Sequence, residues 1–154
     1  MGEQSKWEKM SERFTIVGGV LMLVEKNGEI LMLLRKNKFD EGLYSLVGGC
    51  MEEGETVLQA AVRELGEEAD LTADEKNMKV VSALHRICPE GSWTSVEFVV
   101  AVKGFSGEPK IMEPDKSSEL RWFKPSELPA NISRYAKQAI ENYINDVRFS
   151  QIDF

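Results

Sequence analysis

Between Gly49 and Leu71 the chain reads Gly-Cys-Met-Glu-Glu-Gly-Glu-Thr-Val-Leu-Gln-Ala-Ala-Val-Arg-Glu-Leu-Gly-Glu-Glu-Ala-Asp-Leu, and no other stretch limits the fold so tightly. Thr56 followed three residues later by Gln59 is a capping-box pattern, which predicts a helix from Val57 with Thr56 as its N-cap. On a 3.6-residue period Leu58, Ala61, Val62, Leu65 and Ala69 share one face, and Glu64, Glu67 and Glu68 share another. A glycine-rich loop therefore feeds a helix with a core side and an acidic side. Like charges one turn apart oppose a helix by about 0.2 to 0.5 kcal/mol per pair, so a compensating cation is expected. Three carboxylates beside glycine carbonyls make an all-oxygen donor set suited to Mg2+ or Mn2+. For an arbitrary glutamate-rich helix the alternative is a solvated acidic face.

In its spacing the stretch resembles the Nudix box, G-x5-E-x7-R-E-U-x-E-E-x-G-U with U a bulky aliphatic residue. Gly49, Glu55, Arg63, Glu64, Leu65, Glu67, Glu68 and Leu71 fall in register. Asp70 stands where the family usually has glycine. That glycine supplies a left-handed residue after the helix, a conformation Asp tolerates better than most. The resemblance implies that Glu64, Glu67 and Glu68 hold the metal and that one of them, Glu64 by preference, handles the attacking water. It also implies that the Gly48 carbonyl joins the metal shell and that Arg63 pairs with Glu55 to tie the loop to the helix.

The whole chain sets wider bounds. Its 154 residues predict a single domain, residues 14–154, behind a polar tail at 1–13. A net charge of -7 speaks against binding duplex nucleic acid, which favours a basic face. It leaves a nucleotide substrate open, because a bound divalent cation reverses the local field. With no long apolar run and no signal-peptide core after Met1, the expectation is a cytoplasmic protein that does not enter a membrane. Cys50 and Cys88 have no metal-ligand spacing and form no disulfide framework.

Taken in order, the apolar run from Phe14, then Asn27-Gly28, then Ile30 to Leu34 predicts two buried strands joined by a type I′ turn. Arg35, Lys36 and Lys38 gather charge where the second strand ends. By resemblance Arg35 is the candidate for a substrate phosphate. Leu43 to Val47 reads as a short strand that delivers Gly48-Gly49 to the box. Met78 to Cys88 and Trp93 to Val102 predict a second hairpin around Pro89 to Ser92. His85, alone on a strand, is read as a packing residue; Phe39, Tyr44, Trp93 and Phe98 are candidate base-stacking platforms. The loop Glu113-Pro-Asp-Lys before Leu120-Arg-Trp-Phe is similar to one in MutT-like members of the family. There Glu113, with Glu119 second, is the candidate further acid at the metal. Ile132 through Val147 recur at helical spacing and predict a C-terminal amphipathic helix.

This order of elements points to an α/β fold, a mixed sheet between helices, and the resemblance implies the Nudix α/β/α sandwich. The activity it implies is metal-dependent hydrolysis of a nucleoside diphosphate linked to another group, first of all a nucleoside triphosphate cleaved to monophosphate and pyrophosphate. ADP-ribose or a nucleotide sugar is the second substrate class, a non-catalytic nucleotide-binding module the rival outside enzymology, and an RNA-end pyrophosphohydrolase a third. An exposed apolar patch on the first hairpin or the C-terminal helix would support a homodimer.

Overall fold

The computed structural model describes residues 13–38, 40–87 and 93–153. Most of the expected tail, the Phe39 ring, Cys88 and the turn from Pro89 to Ser92 lie outside these residues. The first hairpin joins β1 (Val17–Lys26) to β2 (Glu29–Arg35). Asn27 and Gly28 both have positive φ, 52° and 76°, as a type I′ turn requires. β3 (Tyr44–Cys50) leads through a loop to α1 (Val57–Ala69), and a short 3-10 turn (Glu75–Asn77) opens β4 (Met78–Ile87). There follow β5 (Thr94–Val102), β6 (Ser117–Phe123), α2 (Arg134–Ile144) and β7 (Phe149–Asp153).

The strands form one mixed seven-stranded sheet in the order β6-β2-β3-β1-β5-β4-β7. β1 lies at its centre, antiparallel to β3 and parallel to β5. Because strand side chains alternate, β1 sends Val20, Met22 and Val24 to one face and Leu21 and Leu23 to the other. The first set packs with Ala60, Ala61, Leu65 and Ala69 of α1. The second packs with Tyr135, Ala136, Ala139 and Ile140 of α2. A helix on each face gives the expected sandwich. Among the described residues no helix is long and apolar enough to cross a membrane.

Both caps of α1 follow from the sequence. Thr56 Oγ1 accepts from the Gln59 N–H, while Gln59 Oε1 accepts from the Thr56 N–H. At the other end Asp70 adopts φ 56°, ψ 33°, and its N–H reaches the Gly66 carbonyl at 3.1 Å. Asp70 thus takes the left-handed position where the box usually has glycine. Asp70→Gly is expected to relieve that conformation and raise stability by up to about 1 kcal/mol, less what glycine loses through its freer unfolded chain. Urea denaturation of both proteins measures it, and a lower midpoint in the variant would contradict this reading.

Three sequence expectations need correction. β3 does not stop before the glycines: Gly48 and Gly49 pair with Leu21 and Val20, so the box begins inside the sheet. The C-terminal helix ends at Ile144 rather than reaching Val147. Asp146 turns left-handed there (φ 53°), and the Val147 N–H bonds back to the Asn142 carbonyl at 2.8 Å, closing the helix. Beyond it comes an unforeseen strand, β7, which runs parallel to β4 from Ala83 to Ile87.

Candidate active site

Glu64, Glu68 and Arg63 stand on consecutive turns of α1 because the small residues Ala60, Ala61 and Ala69 let the helix settle closely on the sheet. The helix lies over the part of β3 that contains Gly48 and Gly49. Here the glycines matter for space. A Cβ on Gly49 would stand 2.2 Å from Glu64 Oε1, and one on Gly48 would stand 2.1 Å from the Val20 carbonyl oxygen. Gly49 thus makes the room that the Glu64 carboxylate fills. The Gly48 N–H donates to Glu68 Oε2 at 2.9 Å and fixes the second carboxylate.

Arg63 organises the loop. Its Nε and Nη2 hold both oxygens of Glu55, the Nη2–Oε2 contact being 3.0 Å, and Nη2 also donates to the Cys50 carbonyl at 2.9 Å. Glu55 Oε2 accepts in turn from the Glu52 N–H at 2.8 Å. These contacts close the turn between strand and helix, and they hold the Glu55 carboxyl below the usual carboxylate range, the Arg63 guanidinium being the larger cause. Arg63 Nη1 spans Glu64 Oε1 and Glu67 Oε2 at 3.0 Å each.

Burial governs the other acids. Glu64 is 8% exposed. Its carboxyl is raised, mainly by desolvation and against the pull of Arg63, with Glu67 and Glu113 adding to the rise. Glu68 is pushed up to about 7 by burial, with Glu64 and Glu113 adding repulsion and the Gly48 N–H and Arg35 opposing. The field of Glu113 on both carboxylates places its loop at the site. Glu113 pairs with Lys116 at 2.6 Å, and the negative charge of Glu68 is felt at Lys116 too.

Arg35, at the bulged end of β2, donates from Nε to Asn37 Oδ1 at 3.1 Å and lies close enough to lower the carboxyl of Glu68. Glu119 is placed elsewhere. It sits on β6 opposite Leu34 of β2, adds to burial in raising the Tyr44 hydroxyl, and has Arg121 Nη1 at 3.9 Å. The structure therefore brings together Gly48, Glu55, Arg63, Glu64, Glu67, Glu68, Glu113 and Arg35, and leaves Glu119 apart. Tyr44 is buried edge-on against Phe123 at 4.9 Å, and Trp93 lies 5.4 Å from the Arg86 guanidinium, so neither presents a free ring.

Among the described residues no three acids converge as a finished cation cage. The donors nevertheless fit a hard divalent cation: the buried Glu64 and half-buried Glu68 carboxylates stand one turn apart, each raised by desolvation and by the charge of nearby acids. Between Glu64 and Glu67 the Arg63 Nη1 already occupies a cationic position.

The NUDIX domain model matches residues 14–143. This chain belongs to the Nudix family. The stretch that begins at Gly49 and the acids of α1 lie inside the matched span. An ADP-ribose pyrophosphatase of Methanocaldococcus jannaschii is 36% identical over 107 residues, 70% of this chain and 61% of that protein. An oxidized purine nucleoside triphosphate hydrolase of Danio rerio is 32% identical over 123 residues, 71% of this chain and 67% of that one. The crystal structure of a MutT NUDIX hydrolase from Burkholderia pseudomallei superposes with a TM-score of 0.78 at 27% identity, covering 83% of this chain and 98% of its own. This chain thus spans about three-fifths of the length of its archaeal relative.

Two features escaped the sequence reading. Lys116 joins the site, and its signal was the Glu113-to-Lys116 spacing of a single turn. On the α2 face Arg86 pairs with Glu97 at 2.9 Å, Ser95 Oγ also donates to Glu97, and the guanidinium lies 4.0 Å from the Tyr135 ring centroid. Each of these charges, taken alone on an alternating strand, looks like surface.

Proposed function

We propose that this Nudix hydrolase is a Mg2+- or Mn2+-dependent pyrophosphohydrolase acting on a nucleoside triphosphate, which it cleaves to monophosphate and pyrophosphate. The observation that carries the reading is the setting of Glu68, with Glu64 and Glu113 on one side and the cations Arg35 and Lys116 in the same field. Carboxylates alone would repel a polyphosphate; Arg35 and Lys116 give its oxygens charged donors. Glu64, Glu67 and Glu68, with the Gly48 carbonyl and Glu113, would hold the metal. When bound, the metal supplies charge neutralisation and Lewis-acid polarisation of the anhydride.

Water attacks phosphorus, forming one P–O bond as the bridging P–O bond breaks. Glu64 is the group that receives the water's proton, since burial raises its affinity for one. Arg63, whose charge its carboxylate partners reinforce, does not exchange protons and serves by holding Glu55 and the loop. ADP-ribose is the second substrate class, favoured by the 36% identity to a pyrophosphatase of that name. A cytoplasmic homodimer belongs to the same proposal. Ile144, Val147 and Phe149 are exposed apolar side chains that a partner copy would cover, and sedimentation velocity tests this.

The substrate is decided by following products from ordinary and oxidised nucleoside triphosphates, ADP-ribose, nucleotide sugars and dinucleoside polyphosphates with Mg2+ or Mn2+. The expected result is pyrophosphate release from triphosphates at the highest kcat/KM. Preferential release of AMP and ribose phosphate from ADP-ribose would replace the first reading with the second. Binding without turnover across the panel would favour a regulatory module.

A further inference from the structure

Away from the acidic site, a cleft of about 870 Å3 opens where the first half of β4 meets the C-terminal end of α2. Its size falls in the usual range for small-molecule sites. None of Gly48, Glu64, Glu68 or Arg35 lines it. The cleft exists because of two features of β4. A bulge between Val80 and Ser82 interrupts the pairing with β5, and pairing with β7 begins only at Ala83. The outer edge of Lys79 to Ser82 is therefore left without a β7 partner.

The charge around this cleft runs against that of the chain. Lys76, Lys79, Lys103 and Arg148 line it against the single acid Asp146, on a protein of net charge -7. Lys76 has Asp74 at 3.8 Å, and Lys103 lies close enough to act on the Tyr143 hydroxyl, which donates to Glu25 Oε2 at 2.9 Å. Lys79 and Arg148 have no carboxylate partner among the described residues. The second observation is independent of charge. Ser82, 3% exposed, lines the same cleft, and its Oγ has no hydrogen-bond partner. A buried hydroxyl left unsatisfied destabilises a fold, so its presence beside a cationic cleft points to a polar ligand.

We propose that this cleft is a second binding site, separate from the hydrolytic one, for a small phosphorylated molecule of the phosphomonoester class, for which AMP is the probe. The cations face its phosphate, and Ser82 Oγ hydrogen-bonds it. The inference stands apart from the choice of hydrolytic substrate, and its test uses metal-free protein.

AMP is titrated into the full chain in EDTA and followed by amide 1H–15N spectra. Saturable shifts are expected at Lys79, Ser82, Ala83 and Arg148, weakening as salt is added. Lys79→Gln combined with Arg148→Gln, both exposed positions, should weaken AMP at least about tenfold while metal-dependent turnover stays within about twofold. Ser82→Ala should raise the unfolding midpoint, because it removes an unpartnered buried hydroxyl, and should weaken AMP as well. A higher midpoint with unchanged affinity would reduce Ser82 to a packing defect and overturn its part in the site. Shifts confined to Gly48, Gly49 and α1, no saturation, or an affinity indifferent to the double variant would overturn the proposal.

Discussion

Glu68→Gln is expected to lower kcat by at least about 10²-fold, the scale of one lost electrostatic group at a reacting centre, while the fold becomes firmer at neutral pH. Glutamine keeps an oxygen for the Gly48 N–H, so the 2.9 Å bond survives, and it removes a charge from a half-buried, desolvated position. The sign follows from the shift. The Glu68 carboxyl rises from 4.5 to about 7 on folding, so between these values the native protein binds more protons than the unfolded chain. In metal-free buffer the native state is therefore unpenalised below pH 4.5 and loses stability as pH climbs toward 7. Above that the full penalty is on the order of 3 kcal/mol. The variant should lack this slope. Steady-state kinetics and urea denaturation across pH measure both effects, and equal pH slopes in the two proteins would show that Glu68 is not held as described.

Substituting the two glycines separates fold from chemistry. Gly48→Ala places a methyl 2.1 Å from the Val20 carbonyl, on the backbone of the central strand. Overpacking against a side chain costs about 1 to 3 kcal/mol; here the obstacle is the backbone of β1, so a loss of about 3 kcal/mol or more is expected. Gly49→Ala instead meets the Glu64 carboxylate at 2.2 Å, and a side chain can swing aside. That variant should fold with a midpoint close to wild type and lose about 10²-fold in kcat/KM, the effect of a catalytic group displaced by about 1 Å. Thermal denaturation with kinetics on both variants distinguishes the two. A stable Gly48→Ala, or a fully active Gly49→Ala, would contradict the packing described.

What the sequence revealed was local. Thr56 and Gln59, Asn27-Gly28 and the acidic turn of α1 are each decided within a few residues by hydrogen bonds and backbone conformation, and all three appear as expected. The pairing of Arg63 with Glu55, implied by the family spacing, is also there. What escaped depends on distant partners. β7 is five residues long and gains its place only by pairing with β4. The bulge after Val80 shifts the alternation of β4, so that Ser82 and Leu84 turn inward, and no strict two-residue period shows this. Arg86 and Glu97 compensate each other across a hairpin, which a linear reading cannot see. Glu113 and Glu119, close in sequence, separate because only Glu119 lies within a strand paired to β2.

The most direct test of the central claim, that Glu64 and Glu68 beside Gly48 and Gly49 form a divalent-metal hydrolytic centre, is a Mn2+ titration followed by electron paramagnetic resonance. Wild type is compared with the Glu64→Gln, Glu68→Gln double variant, with folding checked by circular dichroism. Saturable Mn2+ binding in wild type, weakened at least about tenfold in the folded double variant, is the predicted result. Undiminished binding in that variant would place the metal elsewhere and contradict the account.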